Sequence, residues 1–511
     1  MKKILLIGLD GGDLKILRSL ISRNELKAFK ELLEGGCCGK LKSTIPAITI
    51  PAWPAMFSGK NPGKLGAVGF SRLERDYSLH LFTSLDWKDD MIWTLLGEEG
   101  VKVGLVNVPG TNPVYEVNGF MISSDFGAFQ TYPENLRVDI QLKPVEKYIT
   151  YSQMLKAAKH NFEERAKAVI RLLKEREWDL FIWVIRITDV AMHWGTQKDI
   201  EKAYLLVDRY LEGVLNLAKK GGWNLFIVSD HGVRKVKKVF NVNTFLERIG
   251  YLKFEKTEEG KKHFFKVARF LFKLHMKPFL VAGYRLISRF TQGLSHLDPE
   301  ALSVGIKWNE TKAFTLTDTT SNFMGIWLNS KRNFDCGIIS SDEEEDIKQE
   351  LINRLMAFKD GGKPVVKQVW RKEELYPGAS PYIPDLFIET EDGYAPDFRG
   401  YDEIIVPNKK YIHDPYGIFI AYGPDILQVK EELEGLRIID VAPTIFHFMG
   451  FPIPSDVDGR VLKEIFKPSA EVAKREVVQK TYVLKSREAR RISIAEEELI
   501  KTRLKDLGYL G

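Results

Sequence analysis

Apolar residues along this chain gather in short runs that end in Gly, Asp or Ser, and stretches of helical periodicity separate the runs. Lys3–Leu9, Val101–Val108, Leu180–Ile187, Asn224–Val228 and Gly417–Ala421 are apolar over lengths too short for a helix, so they read as buried strands. Tyr148–Glu177 and Lys198–Lys220 carry apolar side chains at helical spacing with charges on the opposite face. This alternation predicts an α/β fold, a mostly parallel central sheet flanked by helices. Two stretches break the pattern. Phe264–Phe290 is basic and amphipathic, with Lys266, Arg269, Lys273, Lys277, Arg285 and Arg289 and no acid. It reads as an inserted helical pair with a solvated basic face, or as a lid beside an anionic site, in preference to a membrane-surface helix. From Ala301 to Gly400 the pattern turns to α+β, and the acidic run Asp342–Asp346 reads as an exposed helix start. The expected organisation is a catalytic core over residues 1–245, an inserted α+β cap region over 246–405, a second part of the core over 406–465, and a charged helical tail over 466–511.

Composition narrows the class without fixing it. The chain has 511 residues, 44% hydrophobic and 28% charged, an ordinary globular mixture. Lys plus Arg is 75 and Asp plus Glu is 69, a net charge of +6. So small an excess suits an anionic substrate and is no footprint of nucleic-acid binding. The basic stretch at 264–290 is too apolar for a phosphate track, so no nucleic-acid partner is expected. The first apolar run breaks at Gly8-Leu9-Asp10, shorter than a secretory signal requires. No run approaches the roughly 20 apolar residues of a membrane span. Cys37, Cys38 and Cys336 are too few for a disulfide framework, and the expected compartment is the cytoplasm.

The candidate chemistry lies where the strands end. Asp10 closes the first strand, in Gly-Leu-Asp-Gly-Gly-Asp. Asp189 follows the strand over Leu180–Ile187, and His193 comes one helical turn later. Asp230 and His231 follow Asn224–Val228 and are themselves followed by Gly232. In open α/β sheets ligands bind outside the carboxyl ends of the strands, so three strands deliver carboxylates to one edge and two bring an imidazole as well. Carboxylates so gathered repel one another, and a bound cation removes that penalty. Each position taken singly reads as a cap or turn residue; jointly they point to metal. Mixed carboxylate and imidazole ligands suit zinc, and also manganese. Two such ions about 4 Å apart clamp the attacking and leaving oxygens of an in-line displacement. Asp13 reads as a helix start after the Gly pair, and Asp440 as a helix cap. The remaining histidines, His80, His160, His263, His275, His296 and His447, read as structural or solvent-exposed.

A nucleophile is then required. Residues 43–66 hold Ser43, Thr44, Thr49 and Ser58, with Pro46, Pro51 and Pro54 preventing a regular helix through Thr49. Thr49 is not distinguished from its neighbours by chemistry alone, and coordination to a metal would activate any of these hydroxyls.

These elements resemble the alkaline phosphatase superfamily, and within it the type I phosphodiesterase/nucleotide pyrophosphatase family. Thr49, Pro51, Ser58, Gly59, Pro62 and Gly66 keep the spacing of the family's nucleophile segment. Asp189–Trp194 is similar to its Asp-x-x-Gly-His element, with Met192 in place of the glycine, and Asp230-His231-Gly232 matches its Asp-His-Gly. The resemblance runs in order to about residue 465, with the middle third poorly matched, and Ile438–Leu462 looks like the closing segment. It implies that Thr49 is the nucleophile and that a late histidine is His413. It implies one metal on Asp189, His193 and His413, and another on Asp10, Asp230 and His231. The implied activity is hydrolysis of a small phosphate ester, a phosphodiester by family default, through a threonyl-phosphate. Phe70 stands where the family's nucleotide pyrophosphatases place a phosphoryl-binding Asn, so oxyanion stabilisation falls to the metals, the backbone or an unidentified Lys or Arg. A phosphomonoesterase or phosphonate hydrolase of the same superfamily is the alternative. A non-catalytic binding protein is disfavoured because every ligand and nucleophile position is filled.

Overall fold

Ile4–Leu9 is buried at every position because it lies in the middle of a nine-stranded sheet with a neighbour on each side. The computed structural model describes residues 2–143, 151–254, 305–316, 320–399, 403–484 and 493–506. The expected basic stretch Phe264–Phe290 lies outside the described residues. Across the sheet the order is Leu433–Arg437, Cys37–Lys42, Tyr416–Tyr422, Asn224–Val228, Ile4–Leu9, Leu180–Ile185, Val103–Val106, Gly119–Ile122 and Thr131–Tyr132. Ile4–Leu9 runs parallel to both its neighbours, in register Gly8 to Val184 and Gly8 to Val228. Most pairs in the sheet are parallel, as the strand-helix alternation predicts. Tyr416–Tyr422 is the interior exception, antiparallel to both Asn224–Val228 and Cys37–Lys42.

Side chains alternate across the sheet with the period of a strand. Ile4 and Leu6 face a cluster with Trp53, Phe57, Trp93 and Phe446, whereas Leu5, Ile7 and Leu9 face Leu17, Trp183, Tyr204 and Leu211. The sheet is therefore covered on both sides. The two expected long helices are present as Tyr151–Glu175 and Gln197–Gly221, the latter started by a capping box of Thr196 and Asp199. The stretch after Phe254 holds a four-stranded sheet and the helix Ser341–Ala357, over a third cluster that includes Phe314, Leu328, Leu351 and Ile388. Asp342, Glu343 and Glu344 occupy that helix's first turn, as the acidic run predicts. The segment after Phe466, expected to be a charged helical tail, is mixed. It pairs Gln479–Lys480 with Ile453–Pro454, and its few apolar residues, Val472, Ile500 and Leu504, return to the main core.

One glycine decides how closely the layers approach. A Cβ at Gly8 would stand 2.4 Å from Cη2 of Trp53 and 2.8 Å from Cγ2 of Val184. Trp53 belongs to the helix Thr49–Ser58, so Gly8 lets that helix dock directly on the first strand. We expect Gly8→Ala to cost about 1–3 kcal/mol through overpacking. A urea unfolding midpoint shifted down accordingly would bear this out; an unchanged midpoint would show that Trp53 yields freely.

Candidate metal centre

Strand direction explains why distant residues meet. The carboxyl ends of Ile4–Leu9, Leu180–Ile185 and Asn224–Val228 lie at one edge and lead into Asp10, Asp189 and Asp230. Cys37–Lys42 points the same way, so the segment after it, with Thr49, is delivered there too. Tyr416–Tyr422 runs the opposite way and therefore begins at that edge, directly after His413. His413 also pairs with Val233 in the ladder between Ile405–Asp414 and Gly232–Asn241. That ladder lays the His413 ring on the His231 ring, with centroids 3.4 Å apart and planes 9° from parallel. Gly232 is required at its corner, because a Cβ there would stand 2.2 Å from the carbonyl oxygen of Tyr416.

Asp189 differs from its expected setting. The strand over Leu180–Ile187 stops at Ile185, the last residue paired with Leu9, and Arg186 turns to φ −109, ψ −2. Asp189 thus lies in the first turn of the helix Ile187–Trp194 rather than at a strand tip, which places His193 one turn on along the same face. His193 Nε2 is 3.2 Å from Asp189 Oδ1 and 3.1 Å from His413 Nε2, and His413 Nε2 is 3.7 Å from the same Asp189 oxygen. On the other side, His231 Nε2 is 3.3 Å from Asp230 Oδ2 and 3.5 Å from Asp10 Oδ1. Donor atoms at about 2.0–2.2 Å from a tetrahedral metal are separated by about 3.4 Å, so both sets have the spacing of coordination edges. His231 Nε2 is also within 4.8 Å of the Asp189 and His413 donor atoms, which sets the two groups side by side.

Burial and hydrogen bonding fit the same donors. Asp10, Thr49, Asp189, Asp230, His231 and His413 are fully buried, and the His193 side chain is 16% exposed. Asp10 Oδ1, Asp230 Oδ2, His231 Nε2 and Thr49 Oγ1 have no hydrogen-bond partner among the described residues, a costly state for buried polar atoms unless a ligand meets them. His413 Nδ1 donates to the Ala47 carbonyl at 2.9 Å, and His231 Nδ1 donates to the Gly232 carbonyl at 3.1 Å. Each bond fixes a tautomer that leaves the Nε2 lone pair facing the cluster. Ala47 lies two residues before Thr49, so one contact orients an imidazole and anchors the nucleophile segment. Ile50, extended at φ −108, ψ 112, breaks the helix after Thr49, as the prolines predict.

The charges strain one another. Burial, with Asp230 and Asp189 nearby, pushes the Asp10 carboxyl well above the usual range. Burial and the Asp189 charge push Asp230 up to about 8. Burial acts to raise Asp189 too, yet His193 and His413 outweigh it and hold that group below its ordinary value. Burial pushes His231 and His413 down, toward the neutral form that coordinates metal.

Other residues lie as their surroundings require. Asp13 caps Leu14–Ser22, accepting from Lys15 and Ile16. Asp440 closes a tight turn and accepts from the Arg437 and Arg460 amides, away from the donor cluster. His80 pairs with Asp86, His160 with the Gln141 carbonyl and His447 with the Val472 carbonyl. Sequence reasoning passed over Arg186, Tyr204 and Phe126. The Tyr204 hydroxyl accepts from the Asp13 amide and donates to the Gly11 carbonyl, fixing the loop behind Asp10. A charged residue inside the apolar run over Leu180–Ile187 was the signal for Arg186.

This sheet, with its donors at the carboxyl edge, has the architecture of the alkaline phosphatase-like phosphohydrolases. The profile of the type I phosphodiesterase / nucleotide pyrophosphatase family matches residues 4–413, and the chain belongs to that family, whose members are metal-dependent phosphohydrolases. Human ectonucleotide pyrophosphatase / phosphodiesterase 5 superposes with a TM-score of 0.53 at 14% identity, over 90% of this chain and 97% of that one. Phosphonoacetate hydrolase from Sinorhizobium meliloti, in complex with phosphonoformate, superposes with a TM-score of 0.56 at 15% identity, over 86% of this chain and 94% of that one. At such identities the likeness is one of fold. No curated protein matches the chain in sequence. Among the described residues no helix is long and apolar enough to cross a membrane.

Proposed function

We propose that this protein is a two-metal phosphodiesterase acting on a small phosphate ester, with Thr49 as nucleophile. The observation that carries the reading is the pair of buried donor sets at coordination spacing, in a chain whose Thr49 hydroxyl is buried without a partner. Asp189, His193 and His413 would hold one ion, and Asp10, Asp230 and His231 the other; zinc is the proposed metal and manganese the second choice. When bound, the ions supply Lewis-acid stabilisation of charge on the phosphoryl oxygens and on the attacking and leaving oxygens.

The protein's own residues do the rest. Thr49 Oγ attacks phosphorus in line, forming the Oγ–P bond as the leaving-group P–O bond breaks. Water then cleaves the threonyl-phosphate at phosphorus and returns the hydroxyl. The Ala47 carbonyl keeps the His413 ring in place throughout, and the buried walls limit stray water. All three cysteines are free, which supports the cytoplasm as the proposed compartment.

Phe70 supports a second reading. It is buried against Phe126 and offers no donor to a phosphoryl oxygen, so phosphomonoester or phosphonate hydrolysis stands as the alternative. The deciding experiment is metal analysis with hydrolysis of bis-p-nitrophenyl phosphate and p-nitrophenyl phosphate. Two ions per chain with faster diester cleavage is the expected result. Monoester preference would move the assignment to the alternative, and a chain that binds no metal would overturn both.

A further inference from the structure

Two carboxylates that belong to different donor sets share one cation. Arg186 Nε lies 3.3 Å from Asp10 Oδ2, and Arg186 Nη2 lies 3.5 Å from Asp189 Oδ2. The arginine side chain is 2% exposed, and its guanidinium rests on the Phe126 ring at 4.2 Å from the centroid. Phe126 in turn meets Phe70 edge to face, with centroids 5.7 Å apart. The opposite oxygens of the two carboxylates face the imidazoles: Asp10 Oδ1 is 3.5 Å from His231 Nε2, and Asp189 Oδ1 is 3.2 Å from His193 Nε2. Each carboxylate is therefore divided, with one oxygen turned to the arginine and one to its own donor set.

We propose that Arg186 is a positioning residue that couples the two metal half-sites, an inference that rests on the metal-binding reading above. A guanidinium is planar and permanently charged, and its fork presents separate N–H groups to two acceptors at fixed spacing. Rotation of Asp10 about its terminal torsion would lengthen its contact with the arginine and pull the shared cation away from Asp189. Strain in one half-site is thus felt in the other. Phe126 closes the face of the fork and Phe70 backs Phe126, so the aromatic pair is committed to holding the arginine. Phe70 acts on the metals through this stack and does not act on the substrate.

Two effects of the arginine oppose each other. Its charge repels incoming cations, whereas its contacts orient the carboxylates that receive them. Loss of partners that orient metal ligands typically weakens binding by about 10–100-fold, and orientation is the effect assigned here.

The test is a Mn2+ titration of the full chain, followed by calorimetry and electron paramagnetic resonance, on wild type, Arg186→Lys and Arg186→Met. Wild type is expected to bind two ions and to show the spectrum of a spin-coupled pair. Lysine keeps the charge and stem but is a single point that does not span both carboxylates. Arg186→Lys should retain one ion at wild-type affinity and bind the second about 10–100-fold more weakly, with the coupled signal lost. Arg186→Met should weaken both, with circular dichroism checking the fold; if it does not fold, the lysine variant carries the test. Wild-type midpoints and coupling in the variants would overturn the inference alone. Tighter binding in Arg186→Met would also overturn it, by reducing the arginine to a counter-charge. A wild type that binds no Mn2+ would remove the functional reading along with it.

Discussion

Replacing Thr49 with alanine should lower hydrolysis of bis-p-nitrophenyl phosphate by at least about 10³-fold while both metals stay bound. The separation of the two outcomes follows from the site's construction. The donors are carboxylates and imidazoles on other segments, and they are held by contacts that do not pass through the Thr49 side chain: Gly11 to Asp230, Thr188 to the Asp10 carbonyl, and His413 to Ala47. Thr49 Oγ1 makes no hydrogen bond to any described residue, so its removal breaks none. The substitution deletes a hydroxyl and a methyl from a buried position, a stability cost of about 1 kcal/mol, far smaller than the expected loss of rate. Thr49→Ser keeps the attacking oxygen and should retain part of the activity. Steady-state kinetics with metal analysis on the same samples would decide. Turnover at the wild-type rate in Thr49→Ala would place the nucleophile elsewhere.

Stripping the metals should destabilise the protein, and more strongly at pH 8 than at pH 5. In the metal-free native state Asp230 is raised to about 8 and Asp10 is raised as well, whereas unfolded carboxylates titrate near their ordinary values. Over the window from about 4 to about 8 the metal-free native state holds protons that the unfolded chain has released, so its stability falls as pH rises. Asp189 is lowered, and the stability it contributes is already fully present above its ordinary value, so it leaves this window unchanged. Metals take the place of those protons, and their affinity rises with pH as competition from protons weakens. At a free metal concentration about 1,000 times Kd, each site adds about 4 kcal/mol. Thermal unfolding with and without a chelator, at both pH values, gives the comparison. A gap that is equal at both, or larger at pH 5, would show that Asp10 and Asp230 are not the groups the metals engage.

Much of the site is legible in the sequence, for identifiable reasons. Asp10, Asp189, Asp230 and their imidazole neighbours come directly after strands, and parallel strands deliver the residues at their carboxyl ends to one edge. His413 is a different case. Nothing local marks it, and only the family resemblance indicates it. The physical reason it reaches the edge is the antiparallel sense of Tyr416–Tyr422, a property of pairing that no run of apolar residues encodes. Cys37–Lys42 escapes notice as a strand because two lysines and a glycine dilute its pattern. Asp189 reads as the tip of a strand because Ile187 continues the apolar run, although the pairing that defines the strand stops at Ile185. The structure brings the six expected donors together; their roles, and that of Thr49, rest on the experiments above.

The position of Tyr416–Tyr422 between Cys37–Lys42 and Asn224–Val228 has a consequence for how the chain is made. During synthesis the first strand, the Thr49 segment and the Asp-His-Gly turn emerge long before the strand that joins them. Until about residue 422 has left the ribosome, the sheet exists as two pieces with a slot between them, each exposing an unpaired edge. Insertion of the late strand closes the slot and, in the same movement, carries His413 into place beside His231. The nascent chain therefore holds an incomplete donor set for most of its synthesis, and full metal capture is deferred to the last stage of core assembly.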